Sequence, residues 1–247
     1  MGLSKNEIKL VKSLQIKKYR DLNRKFVVEG IKLVNELIEQ THFKVDAIFH
    51  TPDCEINIPS HIHSFQISTT ELGRISGLKS PNKVLAVVKY PKDLAVDLTK
   101  ENAVLVLDTI NDPGNLGTII RTADWFGIKN VFASETTVDL FNPKVIQSSM
   151  GAVYRINFHR THLSNLLQKL SVNGFDIVGA ALGGKSLYQY DFKPKTAIVM
   201  GSESHGIASE LRSQLSSSIE IPRFGSTESL NVAMATGIFL SHYKSKS

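Results

Sequence analysis

With 247 residues, 42% of them hydrophobic, the chain can bury a core of its own, as one large domain or two small ones. Its single cysteine, Cys54, excludes an internal disulfide. With no Cys/His spacing that suggests zinc, it reads as an ordinary structural thiol of a reducing compartment.

The net charge of +6 and a pI of about 9.3 suit a polyanionic partner. That excess sits at one end. Residues 1–25 hold eight basic side chains against Glu7 and Asp21, and the rest of the chain balances at 21 basic and 21 acidic. The opening MGLSKNEIKL is charged where a secretion signal is apolar, position 6 is Asn where a myristoylation signal needs Ser or Thr, and no apolar run reaches bilayer length. The expectation is a soluble cytoplasmic protein with no membrane and no metal.

Ser4 and Glu7 form a capping-box pattern, and Ile8, Val11 and Leu14 follow at helical spacing, which predicts a helix over 5–14 with a basic polar face. Lys12, Lys17, Lys18, Arg20 and Arg24 are the candidate RNA-phosphate contacts; a solvated surface helix is the bland alternative. Then come a strand at 26–28, a helix over 30–39, strands at 45–50 and 62–67, a short helix over 70–75 and a strand at 84–89. This alternation is a small α/β unit covering 1–92. His61 and His63 lack a third ligand and read as strand-face residues. PKDLAVDLTKEN supplies a linker, placed at 93–102.

The second unit, 103–247, opens with a continuous apolar strand at 103–107, a loop to Asn115 and a helix over 116–126. Further strands are expected at 131–133, 177–181, 197–200 and 219–221, and helices at 143–150, 163–172, 209–215 and 230–240. The result is a doubly wound parallel sheet. Two strands stop at glycine-rich or small polar loops, GSESHG and PRFGSTESLN, where the backbone can offer N–H groups to a ligand. The first strand empties into NDPGNLG, which has neither the G-x-G-x-x-G of a dinucleotide site nor a P-loop. Asn115 and Arg121 can both face the crevice beyond the strand ends, with a helix cap and a surface ion pair as their structural alternatives.

DPGNLGTIIRTADWFG, IVMGSESHGI and IEIPRFGSTESLNVAMATGIFL, in that order, resemble the three motifs of the SpoU/TrmH family of RNA ribose 2′-O-methyltransferases, within the SPOUT superfamily. The resemblance covers residue 103 to about 240, and the unit ahead of it looks, more loosely, like that family's L30e-like substrate-binding domain. It implies a trefoil-knotted α/β fold and a bent S-adenosylmethionine. The cofactor contacts would fall on the Ala181, Leu182 and Gly183 loop, on Met200 and Gly201, on Ile221, and on Ser229 and Leu230. It also implies a homodimer with each site near the subunit interface.

Carried over to this sequence, Arg121 would sit at the attacking hydroxyl, and Asn115 and Asn231 would position the ribose or hold the loops. Glu203 would fix Asn115 or the loop backbone, or merely bond loop N–H groups. Ser229 has the same double reading, and a Ser nucleophile is disfavoured, because no His or acid stands in relation to it. Arg223 stands where relatives often carry Met, and Ser241, His242 and Tyr243 where they often carry an acid. Trp125, Phe126 and Tyr154 are assigned to core or interface packing rather than base stacking. The expected substrate is structured RNA, large-subunit rRNA ahead of tRNA. A non-catalytic RNA-binding or ribosome-assembly protein is the rival, and an oxidoreductase a distant third.

Overall fold

The computed structural model describes residues 3–92 and 95–246 and divides into two compact units, residues 1–92 with 139–154, and residues 93–138 with 155–247. Two residues of the expected linker, Asp93 and Leu94, lie outside the described residues, as does the start, Met1 and Gly2.

The first unit begins with α1 (Lys5–Ser13), whose capping box is complete. Ser4 Oγ accepts from Glu7 N at 3.2 Å and Glu7 Oε2 accepts from Ser4 N at 2.8 Å. A helix that the sequence reading did not separate follows, α2 (Lys17–Asn23), stopped by Arg24 in the left-handed region at φ 51°. Then come β1 (Lys25–Glu29), α3 (Ile31–Ile38), β2 (Val45–His50), β3 (Ser64–Gln66), α4 (Thr69–Ile75) and β4 (Val84–Lys89). The sheet order is β1-β4-β2-β3, with β1 and β2 antiparallel to β4 and β3 parallel to β2.

Alternation along the strands sorts the core into two layers. Phe26, Val28, Ile48 and Ala86 pack with Leu33, Val34 and Leu37 of α3, whereas Val27, Phe49, Leu85 and Val87 pack with Leu14, Leu72 and Ile75. Each such side chain contributes about 1.5–3 kcal/mol on burial. His61 is exposed in a turn rather than in a strand, and the carbonyl of His63 accepts from Ile48 N at 2.9 Å. Residues 139–154, with α6 (Pro143–Ser149), belong to this unit and place Ile146, Val153 and Tyr154 in its core.

The second unit holds β5 (Ala103–Leu107), α5 (Pro113–Trp125), β6 (Asn130–Ala133), β7 (Asn157–Arg160), α7 (Leu163–Val172), β8 (Asp176–Ser186), β9 (Thr196–Met200), α8 (Ser209–Arg212), β10 (Ser217–Glu220) and α9 (Val232–Lys246). Its six strands run in the order β10-β8-β9-β5-β6-β7, every pairing parallel. Of the central strands, β9 is buried throughout and β5 from Val104 onward, as a sheet covered on both faces requires. Val104, Val106, Ala197 and Val199 meet Leu163, Leu167, Leu170 and Leu211 from α7 and α8, while α5 and α9 pack against each other. Edge strand β7, NFHR, was not anticipated, and α9 runs to Lys246 instead of 240.

Candidate active site

The strands end at one edge, and three segments meet there. Beyond β9, a Cβ on Gly201 would fall 2.1 Å from the carbonyl carbon of Gly206, so this close backbone approach admits only glycine. Ser202 and Gly206 then close a tight hairpin, each N–H donating to the other's carbonyl at 3.1 and 2.9 Å, with Gly206 at φ 66°. Arg212 braces it from outside, Nε donating to Ile207 O at 2.8 Å. Glu203 is held out at the tip.

At the end of β5, the buried Asp108 accepts from Ala208 N at 2.8 Å and from Thr109 Oγ1 at 2.9 Å, and its own N–H goes to Met200 O at 2.8 Å. Thr109 is β-branched yet sits at φ 58°, an uncommon conformation held by its N–H bond to Ser134 Oγ at 2.9 Å. Sequence reasoning passed over both residues. The available signal was an acid placed directly at the end of an apolar parallel strand.

Asp112, not Asn115, caps α5, accepting from Asn115 N at 2.8 Å with Pro113 in the first position. Asn115 therefore lies in the first helical turn rather than in the loop. Its side chain is free to join a clasp. Glu203 Oε1 accepts from Asn115 Nδ2 at 3.0 Å, Asn231 Nδ2 at 2.6 Å and Val232 N at 3.1 Å. Asn231 Nδ2 also donates to Asn115 Oδ1 at 2.9 Å, and Asn231 Oδ1 accepts from Ala233 N at 3.0 Å, capping α9. The clasp thus joins the N-terminal ends of α5 and α9, whose dipoles favour a carboxylate there.

Glu203 and Val232 also line a cleft of about 500 Å³, together with Ala181, Leu182, Met200, Gly201, Ile221, Ser229 and Leu230. Gly183 does not line it; its N–H donates to Glu220 Oε2 at 2.7 Å. Residues 181–183 lie within β8 but are looped out of its pairing with β10, for Ser218 faces Gly179 while the next residue, Ile219, faces Lys185. Neither Asn115, Asn231 nor Arg121 lines the cleft. Arg121, the ninth residue of α5, is exposed and has no hydrogen-bond or ion-pair partner among the described residues. Arg223 Nη1 donates to Thr227 O at 3.3 Å, closing a turn beside Phe224, which is 91% exposed.

Of the candidate RNA contacts in the first unit, Lys12, Lys17, Lys18 and Arg24 are exposed, and Lys17 pairs with Asp21. Arg20 is corrected. It is 1% exposed, and its guanidinium is spent on Asp139 Oδ2 at 2.7 and 3.0 Å and on the carbonyls of Leu14 and Gln15, both at 2.9 Å, so it cannot reach a phosphate. Tyr154 is buried in the core, and Trp125 is 84% exposed, which rules out core packing for it and leaves the interface half of its reading untouched. Among the described residues no His, Cys, Asp and Glu cluster fits a metal, and no helix is long and apolar enough to cross a membrane.

The family model of the SpoU rRNA methylases matches residues 102–241, and that of the MRM3-like substrate-binding domains matches residues 5–86. The chain is 30% identical over 247 residues to the 23S rRNA (guanosine(2553)-2′-O)-methyltransferase RlmP of Bacillus subtilis, covering 98% of this chain and 97% of that protein. It is 37% identical over 139 residues to the 23S rRNA (guanosine-2′-O-)-methyltransferase RlmB of Pseudomonas aeruginosa, 56% of each chain. Among solved structures, a TrmH-family protein of Porphyromonas gingivalis aligns over the whole of both chains with a TM-score of 0.91 and 35% identity. An AdoMet-bound rRNA methyltransferase of Sinorhizobium meliloti aligns with a TM-score of 0.86 and 26% identity over 99% of this chain and 96% of that one. Since the first of these models spans more than half of the sequence and contains all three C-terminal motifs, the chain belongs to the SpoU rRNA methylase family.

Proposed function

We propose that this protein transfers a methyl group from S-adenosylmethionine to a ribose 2′-hydroxyl of large-subunit rRNA. The observation that carries the reading is the Asn115–Glu203–Asn231 clasp, which ties all three motifs together at the rim of the cleft.

The cleft fits the cofactor. Its volume of about 500 Å³ lies within the range of roughly 300–1,000 Å³ usual for small-molecule sites. Leu182, Ile221 and Leu230 offer apolar contact to an adenine ring, and the ends of β9 and β10 offer backbone N–H and C=O groups. Met200, Gly201, Ala181 and Ser229 complete the set assigned to holding it, while Gly183, outside the lining, ties the looped-out segment to Glu220. When bound, S-adenosylmethionine supplies an electrophilic methyl group.

What remains for the protein is to orient the ribose and stabilise charge. Arg121, exposed and without a partner among the described residues, is assigned to the attacking hydroxyl and a neighbouring phosphate. With a pKa above about 12 it is a poor base, so it orients and stabilises while the proton leaves to a phosphate oxygen or water. Asn115 and Asn231 hold the two helix starts in register, and Glu203 fixes both.

Residues 1–92 are assigned to RNA binding and residues 103–247 to catalysis, with 93–102 between them, except that the segment 139–154 packs into the first unit and goes with RNA binding. The exposed Trp125 of α5 and Met234 of α9 support a homodimer in which a second copy covers them. The protein is assigned to the cytoplasm. Arg121→Ala tests the arrangement: methyl transfer is lost while S-adenosylmethionine affinity, read by calorimetry, stays within a few-fold. Loss of both together moves Arg121 into the cofactor site.

A further inference from the structure

The first unit carries another cleft, of about 390 Å³, that the reaction above leaves unused. Gln15, Glu29, Gly77, Leu78, Asn142 and Gln147 are among its lining residues, and three of these are primary amides. Gln147 Nε2 donates to Glu29 O at 2.8 Å, which leaves its Oε1 as an acceptor. Asn142 Oδ1 accepts from Lys144 N at 2.9 Å, which leaves Nδ2 as a donor. Gln15 Nε2 is buried and has no hydrogen-bond partner among the described residues. A buried donor in that state is costly to leave unmade, so it is where a ligand gains most.

The walls are held in place. Arg20 grips the carbonyl of Gln15 and the carboxylate of Asp139, whose own carbonyl accepts from Asn142 N at 3.1 Å. Glu29, 5% exposed, spends Oε1 on Gly77 N at 2.9 Å and Oε2 on Ser76 Oγ, which fixes the turn opposite. A Cβ on Gly77 would fall 2.4 Å from Gln15 Oε1, so the amide lies directly on this glycine.

We infer that this cleft receives one unstacked nucleobase of the RNA and reads its polar edge through Gln15, Asn142 and Gln147, an inference that rests on the RNA-methylation reading. A base edge sets donors beside acceptors in one plane, which primary amides match, and Val27 and Leu78 offer the ring an apolar contact. Lys144 also lines the cleft and attracts an anion, but a phosphate there faces the Glu29 carboxylate and the Gln147 acceptor and leaves the amide donor–acceptor pattern unread, which makes it the poorer occupant.

The test uses the full chain, labelled S-adenosylmethionine and a 23S rRNA transcript made without modification. Gln15→Met removes the orphan donor at nearly constant volume and breaks no side-chain bond. It raises KM for RNA about tenfold, as one lost hydrogen bond to the ligand requires, and leaves S-adenosylmethionine affinity in the absence of RNA unmoved. Gly77→Ala, which displaces the same amide from the far wall, gives the same split. A benzophenone amino acid at Leu78 crosslinks to an unpaired nucleotide of the transcript. If the wild type methylates the transcript and both variants keep KM within twofold, the nucleobase cleft is wrong while the methylation reading stands. If the wild type neither binds nor methylates the transcript, both fall.

Discussion

The Arg20–Asp139 contact in the first unit and the Asn115–Glu203–Asn231 clasp in the second do similar jobs in different surroundings. Each ties together segments far apart in sequence, across 119 residues in one and 116 in the other. The first is buried, with side chains 2% and 12% exposed. The clasp faces solvent and borders a cleft, and Glu203 and Asn231 are both exposed. Burial decides what each is worth. A charge pair shut away from water is costly to break, because the remaining partner is left uncompensated. Polar groups at a wet rim add little to folding, and what they secure is the alignment of two helix starts beside a ligand.

Gly201→Ala is ranked first because it unites the two effects. The added Cβ has only backbone to push against, so stability falls by about 3 kcal/mol and S-adenosylmethionine binding is lost as well, as thermal unfolding and calorimetry will read. Arg20→Met lowers the unfolding free energy by about 3–5 kcal/mol in urea while leaving S-adenosylmethionine affinity as it was. A loss below about 1 kcal/mol would erase the distinction between latch and clasp.

Glu203→Ala should do the reverse. Three donors lose one acceptor, methyl transfer falls about 100-fold, equivalent to roughly 2.7 kcal/mol of barrier, and the unfolding midpoint moves little.

The smallest effect belongs to Asp46, where burial alone would raise the pKa but Lys25 and Lys89 bring it below the ordinary carboxylate value. A carboxyl depressed in the folded state adds stability above its unfolded pKa of about 3.9, and that contribution is lost as pH falls through the folded value. Asp46→Asn therefore costs under about 1 kcal/mol at pH 7, and the difference from wild type vanishes in acid.

The same contrast explains what the sequence disclosed. Strands β2, β4 and β5 and helix α7 have the bounds their apolar patterns predict, because burial on a fixed period leaves its mark on the residues themselves. Strand β7 carries one large apolar residue at a sheet edge, and α2 is seven residues without a side-chain cap, so neither writes a period. Arg20 was misread for a related reason: a lysine-rich run looks uniformly solvated, and only the fold brings Asp139 to it. The three motifs named the residues of the clasp, but the capping by Asp112, the left-handed Thr109 and the buried Asp108 are matters of backbone geometry. Composition gives no sign of them.

The most direct measurement incubates the wild-type protein with labelled S-adenosylmethionine and an unmodified 23S rRNA transcript, then digests the RNA and maps the label. The account predicts one labelled nucleotide, methylated on its ribose 2′-oxygen. Label on a base, or cofactor binding with no transfer to RNA, would contradict it.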